Sequence, residues 1–315
     1  MNFFAQGRTA FYHGLLKLQI KNENKILIPN YICKSLLTPI IKLNINYSFY
    51  NIKDNFTFNF SEIKCKALAK DYLLIIHYFG QPQNINLILN FCKKNNIKLI
   101  EDNSHGYSGK FRGKLLGTFG SIGFSSPRKI LNTDTGGILF YKNKIISSKL
   151  NKYYSSKFLI LKKILKKIPF YLYFKNRFYN QSNFYFKRMA KLEDSLINYS
   201  ADINSNNLIR KTNWSLIRDI RRKRWKKVVK ILKKKNCAPV WRLPLMDTCP
   251  WLVPFYAKNM FCRDQIINWG VDHGIKIITW PNLPRFNLNE DTENCRLRWE
   301  KLFCVELDSS IDKLF

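Results

Sequence analysis

Two chemically distinct side chains, a carboxylate and a primary amine, follow two short apolar segments in the middle of the chain. The stretch that starts at residue 98 reads KLIEDNS and breaks into the polar run Asp102, Asn103 and Ser104. The stretch that starts at residue 121 reads SIGFSS, and Lys129 comes three residues after it. Both are typical of buried parallel strands, whose carboxyl ends open into a shared crevice of an α/β sheet. We therefore expect Asp102 and Lys129 to meet.

An acid that faces a lysine in such a crevice indicates a pyridoxal phosphate (PLP) site. A lysine amine bonds covalently to the aldehyde of this cofactor, and a carboxylate beside the pyridine nitrogen keeps that nitrogen protonated, so that the ring accepts electrons from a carbanion. Lys129 and Asp102 would take these two roles. The spacing is also typical of an ordinary buried acid and a surface lysine, so both interpretations stay open on these residues alone.

Several linked motifs surround this pair. Residues 100–106 read IEDNSHG, residues 113–129 read GKLLGTFGSIGFSSPRK, and a glycine pair at 136–137 precedes ILFY. Their order and spacing resemble the DegT/DnrJ-type sugar aminotransferases, PLP enzymes that aminate nucleotide-linked keto-sugars. Matching motifs upstream are ILIPNYICKS, HYFGQP and GRTAFYHGL, so the resemblance covers roughly residues 3–141.

The resemblance implies an α/β protein of the fold-type-I PLP-dependent transferase class. We expect a large domain at residues 1–205, with a mostly parallel central sheet flanked by helices and a basic, aromatic-rich helical segment at 142–188. A linking helix and a small C-terminal α+β domain are expected over residues 206–315. The last strand of that domain is predicted at 298–307, where the sequence reads RWEKLFCVEL.

A candidate anion site lies at the start of the chain, where a turn at Gly7 opens a helix. The free amide hydrogens and the positive dipole end of a helix N-terminus attract anions. The resembling family holds the cofactor phosphate at this turn, so Gly7, Arg8 and Thr9 are candidate cofactor-binding residues, although an ordinary helix start explains the turn as well. Ser125 and Ser126 come just before Lys129, where a hydroxyl would bind the cofactor phosphate as at the family's Phe-Ser position, with Ser125 as the candidate, and Arg128 would add positive charge.

The partner that covers the cofactor ring is less clearly marked. The family commonly places an aromatic residue near Cys33, and a cysteine cannot stack as an aromatic side chain does. His105 lies three residues after Asp102, where the family has Gln or His close to the cofactor. We predict that His105 covers the ring and joins Lys129 and Asp102 in the catalytic set. A purely structural histidine is the alternative.

The net charge is +33, from 54 basic and 21 acidic residues. Residues 142–235 alone hold 27 Lys/Arg and 4 Asp/Glu. Within them, residues 157–188 combine a predicted amphipathic helix with interleaved aromatic and basic residues, a pattern that fits an anionic membrane surface. We favour a helix pair that packs against the core or against a second subunit and exposes its lysine face to solvent. No recognised nucleic-acid motif accompanies the charge, so specific nucleic-acid binding is not expected.

The chain shows neither a signal-peptide pattern nor a run of 18 apolar residues. We expect a cytoplasmic protein, peripheral at the inner face of the membrane if the basic segment binds lipid. The eight cysteines contain no Cys-x-x-Cys pair. Reduced thiols are therefore expected rather than disulfides, and no metal site is predicted.

The resemblance implies a PLP-dependent aminotransferase that moves an amino group, typically from glutamate, to a nucleotide-linked keto-sugar for cell-surface polysaccharide or lipopolysaccharide synthesis. Lys129 would also transfer the proton as acid and base. Retention of Lys129 separates the chain from the dehydratase branch of the family, which has histidine there. The family also implies a homodimer whose sites are completed by the neighbouring subunit. The alternative is a basic membrane-surface or nucleic-acid-associated protein that keeps the fold without transaminase activity.

Overall fold

The structure is a computed structural model that describes four ranges of the chain, residues 1–153, 196–235, 237–280 and 290–313. Of the basic, aromatic-rich helical segment predicted at 142–188, residues 154–188 lie outside these ranges. The prediction is wrong for residues 142–153, which contain two short strands, Lys144–Ile146 and Asn151–Lys152, and no helix. The described residues form a large, mostly parallel sheet from the first half of the chain and a smaller antiparallel sheet from the second half. None of the described helices is both long and apolar enough to cross a membrane.

The large sheet is built from short strands with helices between them. The strands of this part of the chain are β1 (Lys25–Pro29), β2 (Asn46–Tyr50), β3 (Tyr72–Ile76), β4 (Lys98–Asn103), β5 (Lys110–Phe111), β6 (Lys114–Leu115), β7 (Ile122–Ser125), β8 (Ile138–Tyr141) and β9 (Lys144–Ile146). Its helices are α1 (Gly7–Leu18), α2 (Lys34–Lys42), α3 (Phe60–Lys66), α4 (Ile85–Lys94) and α5 (Arg128–Leu131). In the described ranges the sheet order is β2-β1-β3-β4-β7-β8-β9, and β8 alone runs opposite to the other strands, so that only the β7–β8 and β8–β9 pairs are antiparallel. The predicted mostly parallel sheet is confirmed.

The unit β3-α4-β4 shows why this sequence folds as a parallel sheet. Every residue of β3 is buried, as expected for a strand covered on both faces. Parallel strands need a crossover, and α4 supplies it. The side chain of Asn84 accepts a hydrogen bond from the backbone N–H of Leu87 at 3.2 Å and so caps the first turn of α4.

The glycine pair fixes the amino end of α1 beside the sheet. Gly137 and Phe4 exchange two backbone hydrogen bonds, of 2.6 and 2.8 Å. A Cβ atom on Gly137 would lie 2.0 Å from the carbonyl oxygen of Gln6, and Gly136 has a φ of +133°. A residue with a side chain at 137 would therefore displace the segment that leads into α1.

The second half of the described chain supplies the small sheet and its helices. Its elements are β10 (Asn151–Lys152), β11 (Tyr199–Ser200), α6 (Ile203–Lys211), α7 (Trp214–Lys233), β12 (Ala238–Pro239), β13 (Leu252–Tyr256), α8 (Met260–Asp272), β14 (Ile277–Thr279), α9 (Glu290–Lys301) and β15 (Leu302–Glu306). The small sheet has the order β12-β13-β15-β14 and is antiparallel throughout. This arrangement is the α+β segment that the sequence predicted after the linking helix.

The small sheet packs on both of its faces. Successive residues of a strand point to opposite faces. Val253 and Phe255 pack with the fully buried Trp225 of α7. Leu252 and Leu302 instead join the hydrophobic core of the large sheet. The small sheet therefore lies between α7 and the large domain, and its position is tied to both.

The predicted domain boundary between residues 205 and 206 falls inside α6. Ile209 of that helix packs in one cluster with Phe3 and Phe140 of the large domain. The backbone N–H of Asp202, which caps α6, donates to the hydroxyl of Thr135 at 3.0 Å. Trp214 and Ile217 in the first turn of α7 pack against the same cluster, so we propose that the boundary lies within α7, after this turn.

The predicted strand at 298–307 is wrong in its first part, because residues 298–301 end α9 and only β15 is extended. The Arg298 guanidinium donates to the carbonyl oxygen of Ile52 at 3.1 Å and to the carboxylate of Asp54 at 3.0 Å. These contacts with a distant turn accompany the helical conformation, and local sequence preference does not reveal them.

The eight cysteines are all free thiols. Four of them are buried, namely Cys92, Cys249, Cys295 and Cys304. Cys65 is exposed, and the others are half-buried. In the described part of the chain, no group of three His, Cys, Asp or Glu side chains is arranged to hold a metal ion.

We predict that Trp225→Ala lowers the free energy of unfolding by about 3–5 kcal/mol, because the side chain is fully buried between α7 and the small sheet. The matched control is Leu216→Ala in the same helix, whose side chain is 54% exposed; its loss should stay within about 0.5 kcal/mol. Urea denaturation followed by circular dichroism measures both changes. Equal losses would contradict this assignment of the second core.

Candidate active site

Asp102 lies at the carboxyl end of β4, in the middle of the large sheet. It is paired in register with Ile76 of β3 on one side and Phe124 of β7 on the other. The residue is 8% exposed, and its Oδ1 accepts a hydrogen bond from the backbone N–H of Ser104 at 2.7 Å. The carboxylate is thereby held at the edge where the strand ends.

Lys129 lies just beyond the neighbouring strand, in the single turn α5. Its backbone N–H donates to the carbonyl oxygen of Ser126 at 3.0 Å, which closes the turn after β7. Its side chain lines the same cavity as Asp102. The structure therefore brings together the amine and the carboxylate that the sequence predicted to meet.

Burial is the main influence on the pKa of both groups. It raises the pKa of Asp102, against the hydrogen bond from Ser104 and the charge of Lys129, which lower it. Burial lowers the pKa of Lys129, whereas Cys33 and Asp102 raise it. An amine that releases its proton more readily than free lysine is suited to act as a nucleophile and as a general base.

The cavity at this edge encloses about 660 Å³, part of it open to solvent. The side chains with possible roles in its lining are Arg8, Cys33, Asp102, His105, Lys129 and Trp280. They come from both halves of the chain.

The amino end of α1 forms one wall of the cavity. A Cβ atom on Gly7 would lie 3.1 Å from Oγ of Ser104 and 3.3 Å from Cβ of Ser126, so the helix end packs closely against both serines. Arg8 lines the cavity, and its Nε donates to the side-chain oxygen of Gln6 at 2.7 Å. First-turn amides have no partner within a helix, so this wall is suited to an anion.

Two of the predicted phosphate ligands, Thr9 and Ser125, do not line the cavity. The Thr9 hydroxyl donates to the carbonyl oxygen of Leu196 at 3.1 Å, and the Ser125 hydroxyl donates to that of Asn103 at 2.7 Å. The serine hydroxyl after β7 that is available to the cavity belongs to Ser126. Adjacent residues of an extended segment point in opposite directions, which is why Ser125 turns inward and its neighbour faces the site.

His105 lies in the cavity wall as a neutral imidazole. Its Nδ1 accepts a hydrogen bond from the backbone N–H of Phe79 at 3.2 Å, which places the ring proton on Nε2. Burial, with the charge of Lys129 as a second cause, holds the pKa of His105 well below its usual range. The ring centroid lies 4.7 Å from that of Trp251 and 5.6 Å from that of Trp280. Its predicted contact with the cofactor ring stays a prediction.

Two tryptophans that the sequence analysis missed reach the site from the second half of the chain. Trp280 lines the cavity, and the ring centroid of Trp251 lies 4.4 Å from the Nζ atom of Lys129. The only local signal is a proline beside each of them, in TWP and PWL. Cys33 also lines the cavity, so a thiol is present near the position where the resembling family has an aromatic ring.

The neighbouring acid, Glu101, has a structural role behind the site. Its buried carboxylate accepts backbone hydrogen bonds from Gly117 at 3.0 Å and Gly120 at 2.6 Å. It also contacts Nε2 of His77 at 3.0 Å. Nδ1 of that histidine accepts from the backbone N–H of Gln83 at 3.2 Å, so Nε2 carries the proton and donates it to Glu101. The network anchors the end of β4 and the loop that follows.

A curated relative covers the part of the chain that contains these residues. The GDP-perosamine synthase of Escherichia coli O157:H7 is 28% identical over 152 residues, which is 45% of this chain and 40% of the synthase. The match therefore spans well under half of the relative's length.

Solved structures resemble almost the whole chain in fold. Helicobacter pylori PseC, an aminotransferase involved in the biosynthesis of pseudoaminic acid, matches 98% of this chain and 83% of its own, with a TM-score of 0.63 and 11% identity. A GDP-4-keto-6-deoxymannose-3-dehydratase with a trapped PLP-glutamate geminal diamine matches 99% of this chain and 85% of its own, with a TM-score of 0.63 and 14% identity. The fold is accordingly that of the fold-type-I PLP aminotransferases, as expected.

A family model gives the most direct assignment. It matches residues 4–159, a range that includes Asp102, His105 and Lys129 as well as the amino end of α1. The motifs that the sequence analysis singled out all lie inside it. Residues 4–159 therefore belong to the DegT/DnrJ/EryC1/StrS aminotransferase family.

Proposed function

We propose that the protein is a PLP-dependent aminotransferase that transfers an amino group from glutamate to a nucleotide-linked keto-sugar, as a homodimer, in the synthesis of cell-surface polysaccharide or lipopolysaccharide. The observation that carries the proposal is a single cavity lined by Lys129, Asp102 and the amino end of α1. The family of residues 4–159 supports the reaction class. The similarity to GDP-perosamine synthase supports a nucleotide-linked sugar as substrate.

The residues of the cavity fit PLP. Among the described residues that line it, Arg8, Arg128 and Lys129 are cations and Asp102 is the one carboxylate. This excess of positive charge suits a phosphate ester. We propose that Gly7, Arg8 and the Ser126 hydroxyl hold the cofactor phosphate, because they surround the open amides at the helix end. Asp102 would face the pyridine nitrogen, and Lys129 would bond to the aldehyde.

Lys129 would move the proton in both halves of the reaction. PLP supplies an electron sink for the carbanion that forms when the amino donor loses its α-proton. Because burial lowers its pKa, the Lys129 amine could accept that proton and deliver it to the cofactor carbon that carried the aldehyde. The Asp102 carboxylate would hold a proton on the ring nitrogen. Neutral His105 and Trp280 would keep water from one side of the cavity.

The same fold also supports dehydration, so the identity of the amine-bearing residue matters. A dehydratase with 14% identity matches the chain with a TM-score of 0.63. In the dehydratase branch a histidine stands in place of the lysine. Lys129 is present here, which favours amino transfer over loss of water.

We expect the reaction to move the glutamate nitrogen to the sugar. With ¹⁵N-glutamate, PLP and a GDP-linked 4-keto-6-deoxy sugar, mass spectrometry should find ¹⁵N in the sugar and one equivalent of 2-oxoglutarate. Lys129→Ala should lower the rate by about 10²-fold or more, because it removes the proton carrier. A sugar that loses oxygen without gaining nitrogen would instead indicate a dehydratase. A panel of other nucleotide-linked keto-sugars defines the substrate.

The covalent bond to the cofactor should form at Lys129. After incubation with PLP and borohydride reduction, peptide mapping should place the label on this lysine. Lys129→Ala should abolish the site-specific label, whereas Lys114→Ala, at an exposed lysine outside the cavity, should leave it unchanged. A stable label on another lysine would defeat the assignment.

Asp102→Asn should lower activity by roughly 100-fold, because an amide holds the pyridine proton poorly. It should also stabilise the cofactor-free protein at pH 8. Burial raises the pKa of Asp102, so the stability linked to this group is complete below the pKa of the unfolded chain and is lost as pH rises through the folded-state pKa. An asparagine side chain does not ionise, so the variant avoids this loss of stability at high pH.

Melting temperatures at pH 4 and pH 8 test the direction of the stability change that Asp102→Asn causes. Asp102→Asn should melt above the parent protein at pH 8, and the difference should shrink toward pH 4. The matched control is Asp312, whose pKa is shifted in the opposite direction, because a hydrogen bond from Arg224 lowers it. Asp312→Asn should therefore gain no stability at pH 8. A lower melting temperature for Asp102→Asn at pH 8 would contradict the prediction.

A further inference from the structure

We propose that Trp251 positions the amine of Lys129 and that Arg221 positions Trp251. The inference rests on the proposed function only in taking Lys129 as the reacting amine. Both positioning residues come from the second half of the chain, from α7 and from the segment before β13, whereas Lys129 follows β7. The proposal therefore links the small-sheet part of the chain to the candidate catalytic group.

The indole of Trp251 covers the end of the lysine side chain. Its ring centroid lies 4.4 Å from Nζ, well inside the range of a cation–π contact. Trp251 is not part of the cavity lining, whereas Lys129 is. The indole therefore backs the amine, which stays available to the cavity. The neighbouring His105 ring lies 4.7 Å from the indole and packs beside it.

The backbone around Trp251 is held on both sides. Its N–H donates to the carbonyl oxygen of Phe79 at 3.2 Å. The Arg221 guanidinium donates to the carbonyl oxygens of Pro250 and Trp251, each at 2.6 Å, and to that of Leu307 at 3.2 Å. Arginine offers these donors in one rigid plane, so one side chain fixes three carbonyl groups. The indole consequently has a defined place over the amine.

Position matters for this amine because its own side chain is flexible. A lysine carries its charge on a stem of four carbons and loses much rotational freedom when it is packed. The groups that influence the amine from the elements around it are Arg8, Cys33, Asp102, His105 and Arg128. None of them is an aromatic ring stacked on Nζ. Trp251 supplies that contact and keeps water from the amine.

A remote pair provides a matched control. The Nζ atom of Lys235 lies 4.3 Å from the ring centroid of Trp269, nearly the same distance as in the site pair. Trp269 belongs to the hydrophobic cluster of the small sheet and does not line the cavity. Changes at Trp269 therefore report the general effect of losing a tryptophan that stacks on a lysine.

The test measures the pH profile of Lys129 modification in cofactor-free protein. Trinitrobenzenesulfonate labels the deprotonated amine, and peptide mapping isolates the rate at Lys129. Trp251→Ala should raise the midpoint by about one pH unit, because water reaches the amine and hydration favours the ammonium more than the ring contact does. Trp251→Phe should shift it by less than half as much. Trp269→Ala and Trp269→Phe should leave it within about 0.2 pH units.

Arg221 is tested through Trp251. Arg221→Lys keeps the charge but cannot reach several carbonyl groups in one plane, so the midpoint should shift in the same direction as in Trp251→Ala. In the double variant Trp251→Ala/Arg221→Lys the shift should equal that of Trp251→Ala alone, because Arg221 acts through the indole. Circular dichroism confirms that each variant is folded, and Trp251→Phe keeps the test informative if one is not.

Two outcomes would overturn the proposal. One is a Trp251→Ala profile that overlays that of the parent protein. The other is an Arg221→Lys shift that adds fully to the Trp251→Ala shift. Neither outcome depends on PLP, since the labelling uses cofactor-free protein. Failure of the parent protein to bind PLP at Lys129 would instead count against the proposed function. The labelling profiles of the variants could still be interpreted.

Discussion

An amine and a carboxylate, both largely removed from water, share one cavity at the carboxyl edge of a parallel sheet, and the rest of the site depends on that arrangement. Burying either charge alone would be costly, and each partly offsets the cost of the other. Their proximity follows from strand order. Because β4 and β7 are parallel neighbours, Asp102 at the end of one and Lys129 beyond the end of the other reach the same crevice.

The second half of the chain completes this edge. The small sheet packs against the large core through one face and against α7 through the other. Arg298 joins the two parts by its hydrogen bonds to Ile52 and Asp54. In this arrangement Trp280 lines the cavity and Trp251 backs the lysine. The matched family segment supplies the reactive groups, and the less similar segment that follows it encloses them.

The extent to which the sequence predicted the site depends on how local each feature is. The positions of Asp102, Lys129, Gly7 and Arg8 follow from linked motifs, and the structure places all four around one cavity. Thr9 and Ser125 were assigned from the same motifs, but their hydroxyls face carbonyl oxygens inside the protein. A motif identifies a segment, whereas the direction of each side chain depends on backbone geometry that adjacent residues do not share.

The sequence by itself indicated the mostly parallel sheet and, through motifs that resemble a known family, which acid and which lysine share the site, because apolar strand segments and linked motifs are visible among neighbouring residues. Tertiary structure alone decided that residues 298–301 are helical, that Glu101 is a structural anchor and that two tryptophans join the site. Those outcomes depend on contacts between residues far apart in the chain. Such contacts exist only once both sheets have packed together, so no local pattern encodes them.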